Sequence, residues 1–209
     1  RENNMQVPYV SNESLFNIAE KFLDEYHNSR ILPVPIEEIA ESKLGLMILP
    51  ISKLESLCDI SGTIGKDFNT ILIDEETYKN QENRARFTIA HEVGHVILHK
   101  QLFEKENGKY SIEDFVRFQN GLSSNAYKRL EIQAFRFGES ILFPKDKIDE
   151  IFTSTLERLG DINSLAITDL EKIISPISSK FGVSGRATYN KLKRDYPSVF
   201  ESLMSNTPF

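Results

Sequence analysis

The sequence predicts an α+β protein in which a small mixed sheet is followed by two amphipathic helices and then by a helical C-terminal part. Two runs rich in β-branched residues, Ile60 to Ile64 and Thr70 to Asp74, flank a five-residue turn with glycine and indicate a hairpin. Apolar residues then recur at helical spacing through residues 87–99, and again through residues 127–141.

The elements before the hairpin are also signalled. A helix is predicted from Ser11 onward, because apolar residues repeat every three or four positions after a good capping residue. A short helix over residues 36–42 and a strand over residues 46–49 are expected next. The central helix, which follows the hairpin, is predicted to begin near Asn80.

The chain after the central helix is predicted to be irregular over residues 103–125. The following helix is closed by Pro144, and the pattern beyond it is helical. Short breaks are predicted there at Gly160-Asp161, Pro176 and Pro197. We expect residues 1–145 to form one domain and residues 146–209 to form a helical C-terminal part.

The predicted central helix contains the sequence His91-Glu92-Val93-Gly94-His95. At about 100° per residue, the two histidines lie within about 40° of each other, one turn apart on one face. Their imidazoles can therefore share one metal ion, and Gly94 between them lets another element pack close. The opposite face is apolar and can be buried: Ile89, Ala90, Val93, Val96 and Ile97.

Glu92 lies beside the histidines, where a carboxylate can take a proton from an attacking water and pass it to a leaving amine. The competing interpretation is a buried helix whose histidines are incidental. Against it, three of the chain's four histidines, His91, His95 and His99, fall within nine residues. This concentration favours a site for one zinc ion per chain, with another divalent ion such as Mn²⁺ as the alternative.

Two histidines leave a zinc ion short of a third protein ligand. His99 lies about 12 Å from His91 along the helix axis, too far for both to bind one ion easily. Glu131 in the next helix is the better candidate, because it flanks the apolar stripe and can face a neighbouring helix. Glu139 is the second choice, and the competing interpretation of either glutamate is a solvated surface charge. His99 is then a residue that supports a ligand, faces the substrate or ends the helix.

The chain resembles the ImmA/IrrE-type zinc metallopeptidases in a series of sequence blocks between about residues 10 and 195. The blocks are Ser61-Gly62, Thr70 to Asp74, Arg86 to His95 with Leu98-His99, Glu131 to Pro144, and Phe181 to Ser184. The resemblance implies a zincin-type helix that supplies His91 and His95 as metal ligands, with Glu131 from the next helix as the third ligand. It also implies that Glu92 is the catalytic base.

Members of that family cut a partner transcriptional repressor, often of the helix-turn-helix kind, in stress responses or on mobile elements. The resemblance therefore implies an endopeptidase with one partner protein as its substrate. Two features depart from the family pattern. Phe135 stands where the family usually has Asn or Asp, so an expected hydrogen-bonding partner beside the ligands is missing. The segment of residues 101–128 is long, as expected of a lid or a partner-specific insertion.

Composition is typical of a soluble cytoplasmic protein. The 209 residues are 40% hydrophobic and 27% charged, with no apolar run near the roughly 20 residues that a membrane span needs and no signal-peptide pattern. A single cysteine excludes an intrachain disulfide framework and fits a reducing compartment. The net charge of −6 predicts no general attraction to nucleic acid.

The C-terminal part reverses this charge locally, because no acidic residue occurs between Ile173 and Arg194. The basic residues there are Lys180, Arg186, Lys191, Lys193 and Arg194. One interpretation is a helix-turn-helix that touches DNA or docks a partner, and the favoured one is a helical support for the peptidase core. The alternative function is a non-hydrolytic zinc-binding regulator that binds a repressor or DNA through these helices. An intact Glu92 argues against that alternative.

Two expectations concern the substrate. An edge strand of the sheet can pair with an extended peptide, or it can be an ordinary edge with no such role. A hydrogen-bond donor should stabilise the oxyanion of the reaction, and Tyr110 and Tyr127 are the candidates.

Overall fold

The structure, a computed structural model, describes residues 7–65, 67–107, 124–161 and 164–206. It confirms the predicted α+β class, with a three-stranded mixed sheet and a majority of helix. None of the described helices is long and apolar enough to cross a lipid bilayer.

The chain divides into two compact units. The first comprises the described residues up to Arg30 and from Pro35 to Leu142, and the second comprises Ile31–Val34 and the described residues from Phe143 onward. The predicted domain division at residue 145 stays a prediction.

The first unit contains the sheet and both amphipathic helices. Its elements in chain order are α1 (Asn12–Tyr26), α2 (Ile36–Glu38) with a π-helical turn (Ile39–Lys43), β1 (Met47–Ile51), α3 (Leu54–Cys58), β2 (Gly62–Ile64), β3 (Thr70–Asp74), α4 (Glu75–Asn80), α5 (Glu82–Asn107) and α6 (Ser124–Leu142). α1 begins as predicted, because the Ser11 hydroxyl accepts the backbone N–H of Ser14. Its buried face packs with α6, where Phe22 contacts Phe137 edge to face.

β3 is the central strand of the sheet, with β1 parallel on one side and β2 antiparallel on the other. The predicted hairpin between β2 and β3 is therefore confirmed, and β2 is an edge strand. β1 begins at Met47, one residue later than predicted, and continues to Ile51.

Two short helices, α3 and α4, were not predicted, because neither is long enough to show apolar periodicity. The buried carboxylate of Asp74, at the end of β3, holds both of them. Its Oδ1 accepts the backbone N–H of Thr77 at 3.0 Å, and its Oδ2 accepts that of Glu55 at 3.0 Å. The central helix α5 begins at Glu82, two residues after the predicted start near Asn80.

α5 continues to Asn107, so the predicted irregular segment is wrong for residues 103–107. Glu and Lys are good helix formers, and they extend the helix without adding to its apolar pattern. Residues 108–123 of that predicted segment lie outside the described residues.

α5 and α6 run antiparallel with their backbones in direct contact at two glycines. A methyl group on Gly94 would lie 2.8 Å from the carbonyl oxygen of Ala134. One on Gly138 would lie 2.9 Å from the carbonyl carbon and oxygen of Ala90. These distances are shorter than side-chain carbons tolerate, so glycine is required at both places for the helices to approach this closely. The prediction that Gly94 permits close packing is confirmed.

We expect Gly94→Ala to lower the free energy of unfolding by about 1–3 kcal/mol, the usual cost of overpacking. The neighbouring atoms of α6 are backbone and cannot rotate away. Chemical denaturation of the metal-free protein measures the change. Gly185→Ala is the matched control, because its added methyl group would meet nothing closer than 3.5 Å. Equal stability of the Gly94 variant and the wild type would contradict the prediction.

The second unit is helical. Its elements are α7 (Lys145–Leu159), a 3₁₀ turn (Ile167–Asp169), α8 (Leu170–Phe181), α9 (Gly185–Asp195) and α10 (Pro197–Ser205). Breaks at Gly160 and before Pro197 are confirmed, but the break at Pro176 is wrong. Pro176 lies inside α8 on its exposed side, where the helix continues through it.

α8 and α9 are joined by a tight turn that begins with Gly182 in the left-handed conformation, at φ 61°. Of the five basic residues noted in this stretch, Lys191 is buried and forms a 2.8 Å ion pair with Asp195. Lys180, Arg186 and Lys193 are exposed. The two helices thus retain part of the predicted basic surface.

Candidate metal centre

Three side chains from α5 and α6 meet at one point: His91, His95 and Glu131. The Nε2 atoms of the two histidines are 3.1 Å apart. Glu131 places Oε2 3.2 Å from Nε2 of His91 and Oε1 3.4 Å from Nε2 of His95. Within the part of the chain that the structure describes, no other group of His, Cys, Asp or Glu brings three possible ligand atoms together in this way.

These spacings fit a metal ion. Ligand atoms about 2.0–2.1 Å from a tetrahedral zinc ion are about 3.3 Å apart, and the three measured distances are 3.1, 3.2 and 3.4 Å. Two imidazoles and one carboxylate are also a donor set that zinc accepts, with a fourth position left for water or substrate. The arrangement follows from local structure, because His91 and His95 are one turn apart and Gly94 lets α6 come close.

The clustered side chains shift the pKa values of His91 and Glu131. Burial lowers the pKa of His91, but its hydrogen bond to Glu131 and the charges of Glu92 and Glu131 raise it above the ordinary value overall. Burial raises the pKa of Glu131, yet the two histidines beside it, His91 and His95, hold the pKa of its carboxyl group well below the usual range. Glu131 is therefore ionised at neutral pH, as a metal-binding carboxylate must be.

Glu92 lies in a different environment on the same helix. Its side chain is buried, and this burial raises the pKa of the carboxyl group, although the neighbouring histidines act in the opposite direction. The backbone N–H of Ile64, at the end of β2, donates to the carboxylate and fixes its position. A buried carboxylate with a raised pKa accepts and returns a proton more readily than an exposed one.

The edge strand β2 passes next to this glutamate. The two residues that flank β2 form backbone hydrogen bonds with β3: the Ser61 carbonyl accepts from the Asp74 N–H, and the Gly65 N–H donates to the Thr70 carbonyl. The alternating residues Gly62 and Ile64 therefore direct their backbone groups to the outer edge of the sheet. The Ile64 N–H is taken up by Glu92, whereas the backbone of Gly62 faces outward close to α5.

His99 contacts His95, as one of the three roles predicted for it requires. It is fully buried, and its Nδ1 lies 3.0 Å from Nδ1 of His95. On its other side, Nε2 lies 3.0 Å from Oε1 of Gln133. Burial and the nearby His95 lower the pKa of His99 to about 4, so the ring is neutral at physiological pH.

Glu139, the second choice for the third ligand, is not at the site. Its side chain is buried beside Arg136, with an oxygen 3.7 Å from the guanidinium. Tyr127 does reach the site, because its hydroxyl forms a hydrogen bond with Glu131, and it remains 44% exposed. The other tyrosine candidate, Tyr110, lies outside the described residues.

Phe135, the departure from the family pattern, makes no polar contact with the ligands. It is 40% exposed, and its ring lies 5.3 Å from that of Phe87. The two residues lie one turn from Glu131 and His91 respectively. An aromatic pair thus borders the site where a hydrogen-bonding side chain was expected.

Sequence reasoning missed Gln133, Pro8 and Ile64. On α6, Gln133 lies about 160° around the helix from Glu131, so nothing in its spacing suggested a place near the same metal. The other two contribute only backbone groups, which leave no mark in the amino-acid type. A buried polar residue inside an apolar stripe was the one signal available for Gln133.

The chain matches the model of a known protein family. The family model of Peptidase M78, described as the IrrE N-terminal-like domain, matches residues 43–193, more than two thirds of the chain. The match includes the three clustered side chains and Glu92. A search of curated proteins finds no relative.

Proposed function

Since the chain belongs to the Peptidase M78 family, we propose that it is a zinc-dependent endopeptidase that cuts one partner protein. The observation that carries this proposal is the convergence of three ligand atoms within 4.8 Å of one another beside the buried Glu92. In this proposal His91, His95 and Glu131 hold the ion, and Glu92 is the catalytic base. Mn²⁺ is the alternative ion.

A bound zinc ion supplies Lewis acidity, which polarises the scissile carbonyl and lowers the pKa of water. The chain's own residues supply the remaining chemistry. Glu92 removes a proton from the attacking water and then donates it to the nitrogen of the leaving amine. Its raised pKa suits the second step, because the carboxyl group must hold the proton until the amide bond breaks.

Two neighbouring groups, the outer edge of β2 and the Tyr127 hydroxyl, are suited to bind a peptide substrate. We propose that an extended substrate pairs with the outer edge of β2 at Gly62, close to Glu92. The Tyr127 hydroxyl, which contacts Glu131 and is partly exposed, is placed to donate to the oxyanion.

The proposed substrate is a transcriptional repressor of the helix-turn-helix kind, cut at one site in a stress or mobile-element response. This part of the proposal rests on the sequence resemblance to the ImmA/IrrE-type enzymes. A cytoplasmic location agrees with it, as does the single cysteine.

The test is a comparison of new protein N-termini in native cells that express either the wild type or Glu131→Ala. We expect one new N-terminus, in a single regulatory protein, that appears with the wild type and not with the variant. Mass spectrometry of labelled N-termini detects it. Identical sets of N-termini, with both proteins folded and the inducing condition applied, would argue against an endopeptidase.

The alternative is a non-hydrolytic regulator that binds a repressor or DNA through its C-terminal helices. The exposed Arg186 and Lys193 on α9, after the tight turn at Gly182, are the observation that favours it. Under this alternative the partner co-purifies uncut with the wild-type protein, and Glu131→Ala leaves the regulatory response intact.

A further inference from the structure

A chain of hydrogen bonds leads from the candidate metal centre to the N-terminal segment. It passes from His95 to His99, from His99 to Gln133, and from Gln133 to the backbone carbonyl of Pro8. The three distances are 3.0, 3.0 and 2.8 Å. His99 and Gln133 are both buried, so water does not compete readily for these bonds.

The donor and the acceptor of every hydrogen bond in this chain follow from its last member, the Pro8 carbonyl. A proline carbonyl oxygen accepts hydrogen bonds and cannot donate, so the Gln133 amide must present its NH₂ group to Pro8. The amide oxygen of Gln133 therefore faces His99, and it must accept a hydrogen bond from a protonated Nε2 of His99. A neutral His99 with its proton on Nε2 has a lone pair on Nδ1.

That lone pair can accept a hydrogen bond from His95 only if His95 carries a proton on its Nδ1. A neutral His95 with this proton has its own lone pair on Nε2, the atom that faces His91 and Glu131. If the chain of bonds ran in the other direction, the proton would occupy Nε2 of His95 and block coordination.

We propose that His99 and Gln133 are positioning residues that fix the metal-binding tautomer of His95, with the Pro8 carbonyl as the fixed end of the chain. The inference extends the proposed zinc site and rests on it for its consequence, which is tighter metal binding. The N-terminal segment belongs to the site in this view. Val7 is buried with Ala126 and Leu130, and Arg129 donates to its carbonyl oxygen, so the segment is held against α6.

The first test needs no metal. In the metal-free wild type, above the ordinary histidine pKa, ¹⁵N NMR of the imidazoles should show the proton of His95 on Nδ1 and that of His99 on Nε2. Protonated and unprotonated ring nitrogens have well-separated ¹⁵N shifts. A proton on Nε2 of His95 would overturn the inference.

The second test measures zinc affinity by competition with a chromophoric chelator. Gln133→Leu and His99→Leu remove members of the chain, and we expect each to weaken zinc binding by about 10- to 100-fold. His99→Asn should restore most of the affinity, because an Asn oxygen can accept from His95 where Nδ1 of His99 does so. Lys128→Met is the matched control, since this exposed side chain lies on the same helix and outside the chain of bonds.

The outcomes separate the inference from the proposed function. Unchanged affinity and unchanged tautomers in Gln133→Leu would overturn the inference while zinc binding by the wild type still supports the proposed site. Correct tautomers in a wild-type protein that binds no zinc would support the assigned hydrogen-bond directions and overturn the zinc site. Equal losses in His99→Asn and His99→Leu would point to packing alone and would also overturn the inference.

Discussion

Glu131→Ala is expected to lower the metal content of the purified protein from one zinc ion per chain to nearly none. The variant removes one of the three proposed protein ligands, the one that comes from α6 and lies beside both histidines. The loss of affinity should exceed the roughly 100-fold that changes outside the ligand set produce. Elemental mass spectrometry after gel filtration measures the zinc that remains.

Glu139→Ala is the matched control, because it removes the same type of side chain from the same helix. It contacts Arg136 and does not reach the site, so its zinc content should equal that of the wild type. Retention of a full equivalent of zinc in Glu131→Ala would move the third ligand elsewhere. Absence of zinc from metal-replete wild type would overturn the proposed zinc site.

Glu92→Gln is expected to reduce cleavage of the partner protein by about 10²- to 10⁴-fold, the usual contribution of a general acid or base. Zinc content should not change, because the side chain is not among the three ligands. A Gln oxygen can still accept the Ile64 N–H, so the local structure is kept while the proton acceptor is lost. The measurement is the single-turnover cleavage rate beside the zinc content of the same sample. Cleavage at the wild-type rate would exclude the proposed mechanism.

The same substitution should stabilise the metal-free protein at neutral pH. Burial raises the pKa of Glu92 above its unfolded value, so the folded state holds the proton more tightly than the unfolded state does. The resulting stability is present at low pH and is lost as the pH rises and the buried group ionises. Gln cannot ionise, so the melting temperature of Glu92→Gln should exceed that of the wild type at neutral pH, and the difference should shrink in acid. A melting temperature below that of the wild type at neutral pH would contradict this expectation.

Apolar periodicity was sufficient to predict the features that depend on repeated residues. It located α1, α5 and α6, and the hairpin of β2 and β3, because each buries one regular face. It did not predict α3 and α4, which depend on one capping carboxylate rather than on a repeat. Pro176 shows the opposite case, since a residue that usually ends helices is accommodated on an exposed side of α8.

The candidate site likewise contains some groups that the sequence predicts and others that it does not. Side chains one helical turn apart, such as His91 and His95, are predictable because the helix itself brings them together. Glu131 could be preferred to Glu139 from the sequence, because it lies beside the apolar stripe of its helix and can face a neighbouring helix. The Pro8 carbonyl and the Ile64 N–H could not be predicted, because they depend on how distant backbone segments pack. All residue types offer a backbone carbonyl, and all except proline offer an N–H.

The surroundings of the site differ along the axis of α6. One turn before Glu131, Tyr127 presents a hydroxyl group, and one turn after it, Phe135 presents an aromatic ring tilted against that of Phe87. A polypeptide laid across the ligands would therefore meet a hydrogen-bond donor on one side of the cut bond and an apolar surface on the other. Reversing the peptide would exchange these two environments, so the proposed site would bind the two chain directions of a peptide with unequal affinity.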